Sequence, residues 1–334
     1  MKKWLLAAAF AALMLSGCSS AKVNSEGEEI YTLRVTYVPP KEQSSHVAAE
    51  AFAEKVERES DGRIDVQLYP NGVLFGSDRE GIEAVQLGNV EMVIPAMPAI
   101  AGFNKKFMVF DLPFLFNSKE NAYKALDGEL GDILLKDLEK NGLKGLAFAE
   151  NGYRHMSNNK QPITKPSDMD GIKIRTLENP LHTDTFKSFG ANAAPFAFGE
   201  LYTALQQNTF DAMECPVSLY STNKFYEVQK YLTLSGHVYT ATLLLANKDF
   251  YDSLPADLQQ VLDEASLEYR DNQRLLAEKQ DEESLKQIQA EGMIVNELTE
   301  EQREEFKKAA QPVYEKYVPI IGEELVKLAE KANH

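Results

Sequence analysis

The chain has 334 residues, 44% of them hydrophobic, and a formal charge of −16, which gives length for a sizeable core and about two domains. A body this acidic repels nucleic-acid phosphates and speaks against nucleic acid as a partner. It also repels free anions at long range, so any anion site in it needs concentrated local positive charge.

Lys2 and Lys3 precede an apolar run from Trp4 to Leu15 that is too short to span a bilayer, the pattern of an export signal. Leu15-Ser16-Gly17-Cys18 resembles a bacterial lipobox. Residues 1–17 are therefore expected to be a lipoprotein signal peptide, Cys18 a lipidated N-terminus, and residues 18–27 a lipidated tether. The alternative is an ordinary secretory signal that happens to hold a cysteine. Loss of residues 1–17 takes two lysines with it and leaves a formal charge of −18. Cys215, the only other cysteine, then has no disulfide partner, and the core has to stabilise the fold.

Leu33, Val35 and Tyr37 alternate as a strand, and Ser44 or Ser45 is placed to cap a helix with apolar positions Ala48, Ala51, Phe52 and Val56. Gly62 ends it. Ile64, Val66 and Leu68 alternate again, Ser77 with Glu80 forms a capping box for a helix ending near Gly88, and Val90–Ile94 is the next strand. This β-α-β-α-β order makes a sheet covered by helices on both faces. Phe107, Phe110, Phe114 and Phe116 are expected to pack the first lobe.

A second unit of the same style begins near Asn151, with Ile172, Ile174 and Thr176 on one face of a strand and Lys173 and Arg175 on the other. A helix over 180–189, a short extended piece over 193–196, a helix over 200–207 and a strand over 210–213 follow. Tyr239–Ala246 is apolar and β-branched and is expected to return to the first sheet. From Pro255 to about Gly292 no helix breaker occurs, and Leu258, Leu262, Ala265, Tyr269 and Ile288 keep helical spacing. Such a helix spans about 50 Å, enough to brace two lobes. The alternative is two helices broken near Asp271-Asn272. Thr299 and Gln302 form a further capping box, and closing helices around Tyr314, Tyr317, Leu325 and Leu328 are expected to complete the second lobe.

Asn151-Gly-Tyr-Arg154 and Gly171-Ile-Lys-Ile-Arg175 place two arginines at consecutive strand ends of this acidic chain. A guanidinium holds a carboxylate through two parallel charge-assisted hydrogen bonds and stays charged at physiological pH. An ordinary surface ion pair is the plain alternative for either arginine. Two α/β lobes joined by crossing segments bind small ligands in the cleft between them.

Tyr69-Pro70-Asn71-Gly72, Leu112-Pro113-Phe114-Leu115-Phe116, the two arginine motifs, Gly190-Ala191-Asn192, Phe198–Gln207 and Lys224–Lys230 run in one order across nearly the whole mature chain. In that order they resemble the solute-binding subunit of a tripartite ATP-independent periplasmic (TRAP) transporter, of the dicarboxylate-binding DctP type. The resemblance implies an α/β, two-lobe Venus-flytrap fold with discontinuous lobes braced by a long helix. The first lobe is expected to be 28–151 plus 240–280, the second 152–239 plus 281–334. It implies that Arg175 bridges the ligand carboxylate, that Arg154 supplies a second positive contact, and that Phe198 flanks the ligand. Where the family has asparagine in a Gln-Glu-Asn-Pro stretch, this chain reads Met213-Glu214-Cys215-Pro216. Glu214 and Cys215 therefore join the candidates, although a buried Cys215 is equally a small apolar residue. Glu42, His46 and Met97 stand at first-lobe places where family members present ligand-facing residues, and His155 and His182 are further candidates.

The resemblance implies capture of a small organic acid, a C4-dicarboxylate or a sugar acid, delivery to membrane permease subunits, and an extracytoplasmic location, anchored to the bacterial membrane through the lipid. It implies no cofactor and no metal. No Gly-x-Ser-x-Gly elbow, His-Glu-x-x-His pair or phosphate-cradling glycine loop occurs in the sequence, so no catalytic residue is expected. The second reading is a ligand-binding surface lipoprotein that serves a sensor or adhesion partner.

Overall fold

The structure is a computed structural model that describes Val23 and residues 27–334. The expected signal peptide and Cys18 lie outside the described residues. Among the described residues, no helix is long and apolar enough to cross a membrane.

The first lobe follows the predicted order: β1 (Tyr31–Thr36), the helix Ser44–Glu59, β2 (Ile64–Tyr69), the helix Asp78–Gln86 and β3 (Met92–Val93). Leu33, Val35, Ile64 and Val66 are buried together with Phe52 and Val56 of the first helix, so the period-two and helical patterns meet in one core. Ser77 caps the second helix, its side chain accepting from the Glu80 N–H at 3.2 Å. The first helix starts differently from the expectation. Gln43 is its N-cap and offers no side-chain bond; instead Gln280 Oε1 accepts from the Ser44 N–H at 2.8 Å. A distant helix satisfies this orphan donor, which frees Ser45 from capping.

Two long strands, β4 (Leu143–Asn158) and β8 (Tyr231–Asn247), run antiparallel through both lobes. At one end Ala246 and Leu245 of β8 pair with Met92 and Val93, as the apolar stretch 239–246 predicted. At the other, β4 pairs with β7 (Ala212–Cys215). Beyond β7 lie β5 (Lys173–Thr176) and β6 (Asn192–Pro195), while β9 (Ile294–Glu297) pairs with β8. The register of β4 on β8 shifts between Glu150 and Gly152 and again between Arg154 and Met156. Such irregularities bend a strand and re-aim its side chains; here they bracket the crossing from lobe to lobe. Gly152 has φ +118°, a value that L side chains rarely adopt.

The helix Ala256–Ala290 is continuous over 35 residues, with no break at Asp271-Asn272. It packs on the first helix through Leu258, Leu262, Ala265 and Tyr269 and reaches the second-lobe core through Ile288. The capping box at Thr299 and Gln302 is formed in both directions. The closing helices Gln311–Ile321 and Glu323–Lys331 touch elements of both units: Lys316 and Tyr317 donate to Asp184 of the helix Pro180–Ser188. Val313, Tyr317, Ile321, Leu325 and Ala329 are buried in one cluster with Phe107, Phe110, Leu112 and Leu130 of the first lobe. Their apolar faces cover the aromatic segment after β3, which Phe110 stacked on Phe116 at 5.3 Å helps to build.

Candidate functional site

Between the lobes lies a cleft with about 650 Å³ free of protein atoms, part of it open to solvent. Each wall comes from a different part of the fold. The first lobe contributes Ser45, Ser77, Asp78 and, from β8, Thr242; the crossing strand contributes Asn151 and Arg154; the second lobe contributes Arg175, Glu178 and Phe198. Val38, Ile94, Leu177 and Leu219 fill the space between these groups. The apolar filling lowers the local dielectric and strengthens each charged contact.

Strand alternation puts Ile174 into the second-lobe core and Arg175 on the opposite face, toward the cleft. Arg175 is 2% exposed. Its Nε donates to the Phe196 carbonyl at 2.9 Å, its Cζ lies 5.7 Å from the Phe198 ring centroid, and its Nη1 is buried without a hydrogen-bond partner. The backbone bond and the ring hold the guanidinium in place, while Nη1 remains an unmet donor. Burial pulls its pKa down to about 10; the group stays a cation at neutral pH, in a setting that favours an incoming anion.

Arg154 is also buried, but its charge is already matched. Its Nε donates to Glu214 Oε2, and Nη2 donates to Glu214 Oε1 at 3.0 Å and to the Glu214 carbonyl at 2.8 Å. His237 Nε2 approaches Glu214 Oε2 at 3.5 Å, and Ser235 Oγ lies 2.8 Å from His237 Nδ1. Burial pushes the Glu214 carboxyl upward, but Arg154 and the His237 contact outweigh it and hold the group well below the usual carboxylate range. Glu214 is thus the counterion of Arg154 and lies behind the cleft wall.

Of the eight ligand-binding candidates, the structure brings Arg175, Arg154 and Phe198 together in the cleft. Cys215 is fully buried among Met213, Tyr220 and Phe225 in the second-lobe core, and burial pushes its thiol upward. His46 points inward, with Nδ1 2.6 Å from the Tyr37 hydroxyl and Nε2 3.3 Å from Glu50. Met97 is fully buried in the first-lobe core. Glu42 is exposed, and its carbonyl accepts from Gln280 Nε2 at 2.6 Å. His155 alternates with Arg154 and faces a hollow on the rear of β4, beside Tyr153 and Arg303. His182, on the helix Pro180–Ser188, is buried against the first lobe, 3.0 Å from Asp111; Asn179 donates to the same Asp111 at 2.7 Å.

Sequence reasoning missed Asp78 and Thr242; Asp78 is the charged one. It occupies the first position of its helix, where an acidic side chain commonly faces the helix dipole. Here it is turned into the cleft, with Oδ2 accepting from the Ala96 N–H at 3.1 Å. Burial pushes its carboxyl up to about 6, against the Ala96 hydrogen bond and the pull of Arg175.

The sequence pattern of the DctP family, bacterial extracellular solute-binding protein, family 7, matches residues 35–319. A solute-binding protein of Verminephrobacter eiseniae is 40% identical over 291 residues, covering 87% of this chain and 86% of the relative. The crystal structure of the sugar acid binding protein DctPAm from Advenella mimigardefordensis, in complex with galactonate, has a TM-score of 0.88 at 37% identity, covering 91% of this chain and 100% of that one. A TRAP periplasmic solute binding protein from Sulfurospirillum deleyianum with bound succinate has a TM-score of 0.86 at 35% identity, covering 90% and 99%. The match over most of the chain, the two-lobe architecture and the arginine-bearing cleft agree, and the chain belongs to the DctP family as a solute-binding protein of the TRAP type.

Proposed function

We propose that this chain captures a small organic acid in the inter-lobe cleft and delivers it to the membrane permease subunits of a TRAP transporter. The observation that carries the reading is the buried, unpartnered Nη1 of Arg175 on the wall of the cleft. A carboxylate supplies the missing acceptor, and Phe198 flanks it. Arg154 adds a second positive contact through Nη1, the nitrogen not committed to Glu214. Galactonate and succinate in two solved relatives are both carboxylates, which supports the ligand class.

Ligand contacts come from both lobes, so capture favours the closed arrangement. About 5.5 kcal/mol of differential affinity turns a 1:99 open-to-closed balance into 99:1, and desolvated arginine contacts are of that order. In this reading residues 28–151 plus 240–280 move as one lobe, with the closing helices riding on them, against 152–239. The β4–β8 crossing bends at its register shifts. The closed surface is what the permease recognises, and Cys18 keeps the protein at the membrane as its lipid anchor. The role is binding without chemistry. Uptake of a radiolabelled organic acid into vesicles holding the permease tests it: uptake that requires this protein supports delivery, and uptake indifferent to it refutes delivery.

A further inference from the structure

Three buried side-chain atoms without a hydrogen-bond partner line this one cleft: Arg175 Nη1, Ser45 Oγ and Thr242 Oγ1. Arg175, Ser45 and Thr242 are 2%, 4% and 6% exposed. Several buried hydroxyls elsewhere in the fold are paired: Ser44 accepts from Gln273, Ser157 donates to Gln229, Thr176 pairs with Thr183 and Thr240 donates to the Gly152 carbonyl; Ser266 Oγ, on the brace helix and away from the cleft, is also unpartnered. Leaving a buried hydroxyl unpaired is costly, so two such hydroxyls on one cleft wall mark places where an occupant completes the bonding. Asp78 adds an acceptor on the same wall, with Oδ1 left over from its Ala96 bond.

The charges are equally one-sided. Arg154 is neutralised by Glu214, so Arg175 is the unmatched cation, and Asp78 and Glu178 are carboxylates of the same lining. Among the described residues, no lysine, arginine or histidine of the first lobe lines the cleft. A second carboxylate on a ligand held by Arg175 would meet the acid Asp78 and no free cation on the opposite wall, whereas hydroxyl groups would meet two hydroxyls and a carboxylate. A hydroxyl both donates and accepts, which suits Ser45, Thr242 and Asp78 together.

We infer that the ligand is a polyhydroxylated monocarboxylate of the aldonate class, its carboxylate on Arg175 and its hydroxyls on Ser45 Oγ, Thr242 Oγ1 and Asp78. This rests on the carboxylate reading of the cleft and narrows it. A site built to hydrogen-bond ligand hydroxyls rejects an analogue that lacks them far more strongly than an apolar pocket rejects a shape change.

Titration calorimetry on the purified protein at pH 8, where Asp78 is ionised, decides it with six probes: erythronate, gluconate and galactonate as aldonates, hexanoate with the same charge and no hydroxyls, and succinate and adipate as dicarboxylates. The expected result is one aldonate binding at least roughly 100-fold tighter than hexanoate and both dicarboxylates. Thr242→Val and Ser45→Ala should each weaken that aldonate about tenfold, with the melting temperature of the unliganded variant showing that it is folded. Should either variant fail to fold, the aldonate-to-hexanoate ratio on the unaltered protein still decides. A dicarboxylate that binds as tightly as any aldonate, and is lost in Arg175→Ala, overturns this inference and leaves the carboxylate reading standing. Aldonate binding unchanged in folded Thr242→Val and Ser45→Ala also overturns it. Binding of none of these acids overturns both readings.

Discussion

Arg154 and Arg175 line one cleft in opposite electrostatic conditions: Arg154 is closed onto Glu214 through Nε and Nη2, whereas Nη1 of Arg175 is buried without a partner. One arginine is built into the frame, and the other keeps a free donor. The difference traces to Glu214 on β7, which the β4–β7 register sets opposite Met156, two residues beyond Arg154.

Glu214→Gln is expected to destabilise the fold strongly. It leaves the buried Arg154 guanidinium without its counterion, and breaking one partner of such a pair costs about 3–5 kcal/mol. Urea denaturation measures this; a loss below about 1 kcal/mol would mean that Arg154 is solvated or re-paired.

Glu150 gives the stability a pH slope. It is buried on the crossing strand, where Tyr239 donates to its Oε2 at 2.6 Å and Lys119 stands 3.9 Å from Oε1. Burial outweighs both and pushes its carboxyl up to about 7. A carboxyl raised on folding binds more protons in the native than in the unfolded state between its ordinary value near 4.5 and about 7, so stability falls as pH rises through that window. Glu150→Gln should flatten the slope and make the protein more stable than the parent above pH 7, by up to about 3 kcal/mol. The two proteins should converge toward pH 4. Denaturant midpoints at pH 4, 6 and 8 check this, and an unchanged slope would remove Glu150 from the account.

Cys215 should be inert while the protein is folded. It is fully buried and its thiol is pushed upward by burial, and an inaccessible thiol that stays protonated is a poor nucleophile. A thiol reagent such as Ellman's should titrate Cys215 only after denaturation, in the presence or absence of an organic acid. Rapid labelling of the folded protein that ligand blocks would place Cys215 on the cleft wall instead.

Much of this architecture is legible in the residues. Alternation in 172–176 separates Ile174 from Arg175, the Thr299–Gln302 spacing forms its capping box, and the unbroken stretch after Pro255 becomes one brace helix. What stayed hidden depends on tertiary contacts. Ser45 looks like a helix cap until Gln280, 235 positions away in the chain from that serine, satisfies the helix start through Ser44. Thr242 sits within an apolar run whose pattern announces only a strand, and its exposure to the cleft follows from where β8 crosses between lobes. Asp78 has the ordinary signature of a helix first turn. Glu42, His46 and Met97 sit at the right elements, but the turn at Gln43 sends Glu42 outward and His46 toward Tyr37, and the tight helical turn Met97–Gly102 sends Met97 into the core. Short-range pattern fixes which element a residue occupies; the direction of a side chain at an element's end is decided by its neighbours in space.

The central claim is that Arg175 receives a ligand carboxylate. Calorimetric titration of the protein and of Arg175→Ala with the tightest-binding organic acid tests it most directly. The account predicts that the variant stays folded and that affinity falls by at least roughly 100-fold, as expected when one partner of a desolvated charge pair is removed. An unchanged dissociation constant in a folded Arg175→Ala variant would contradict it.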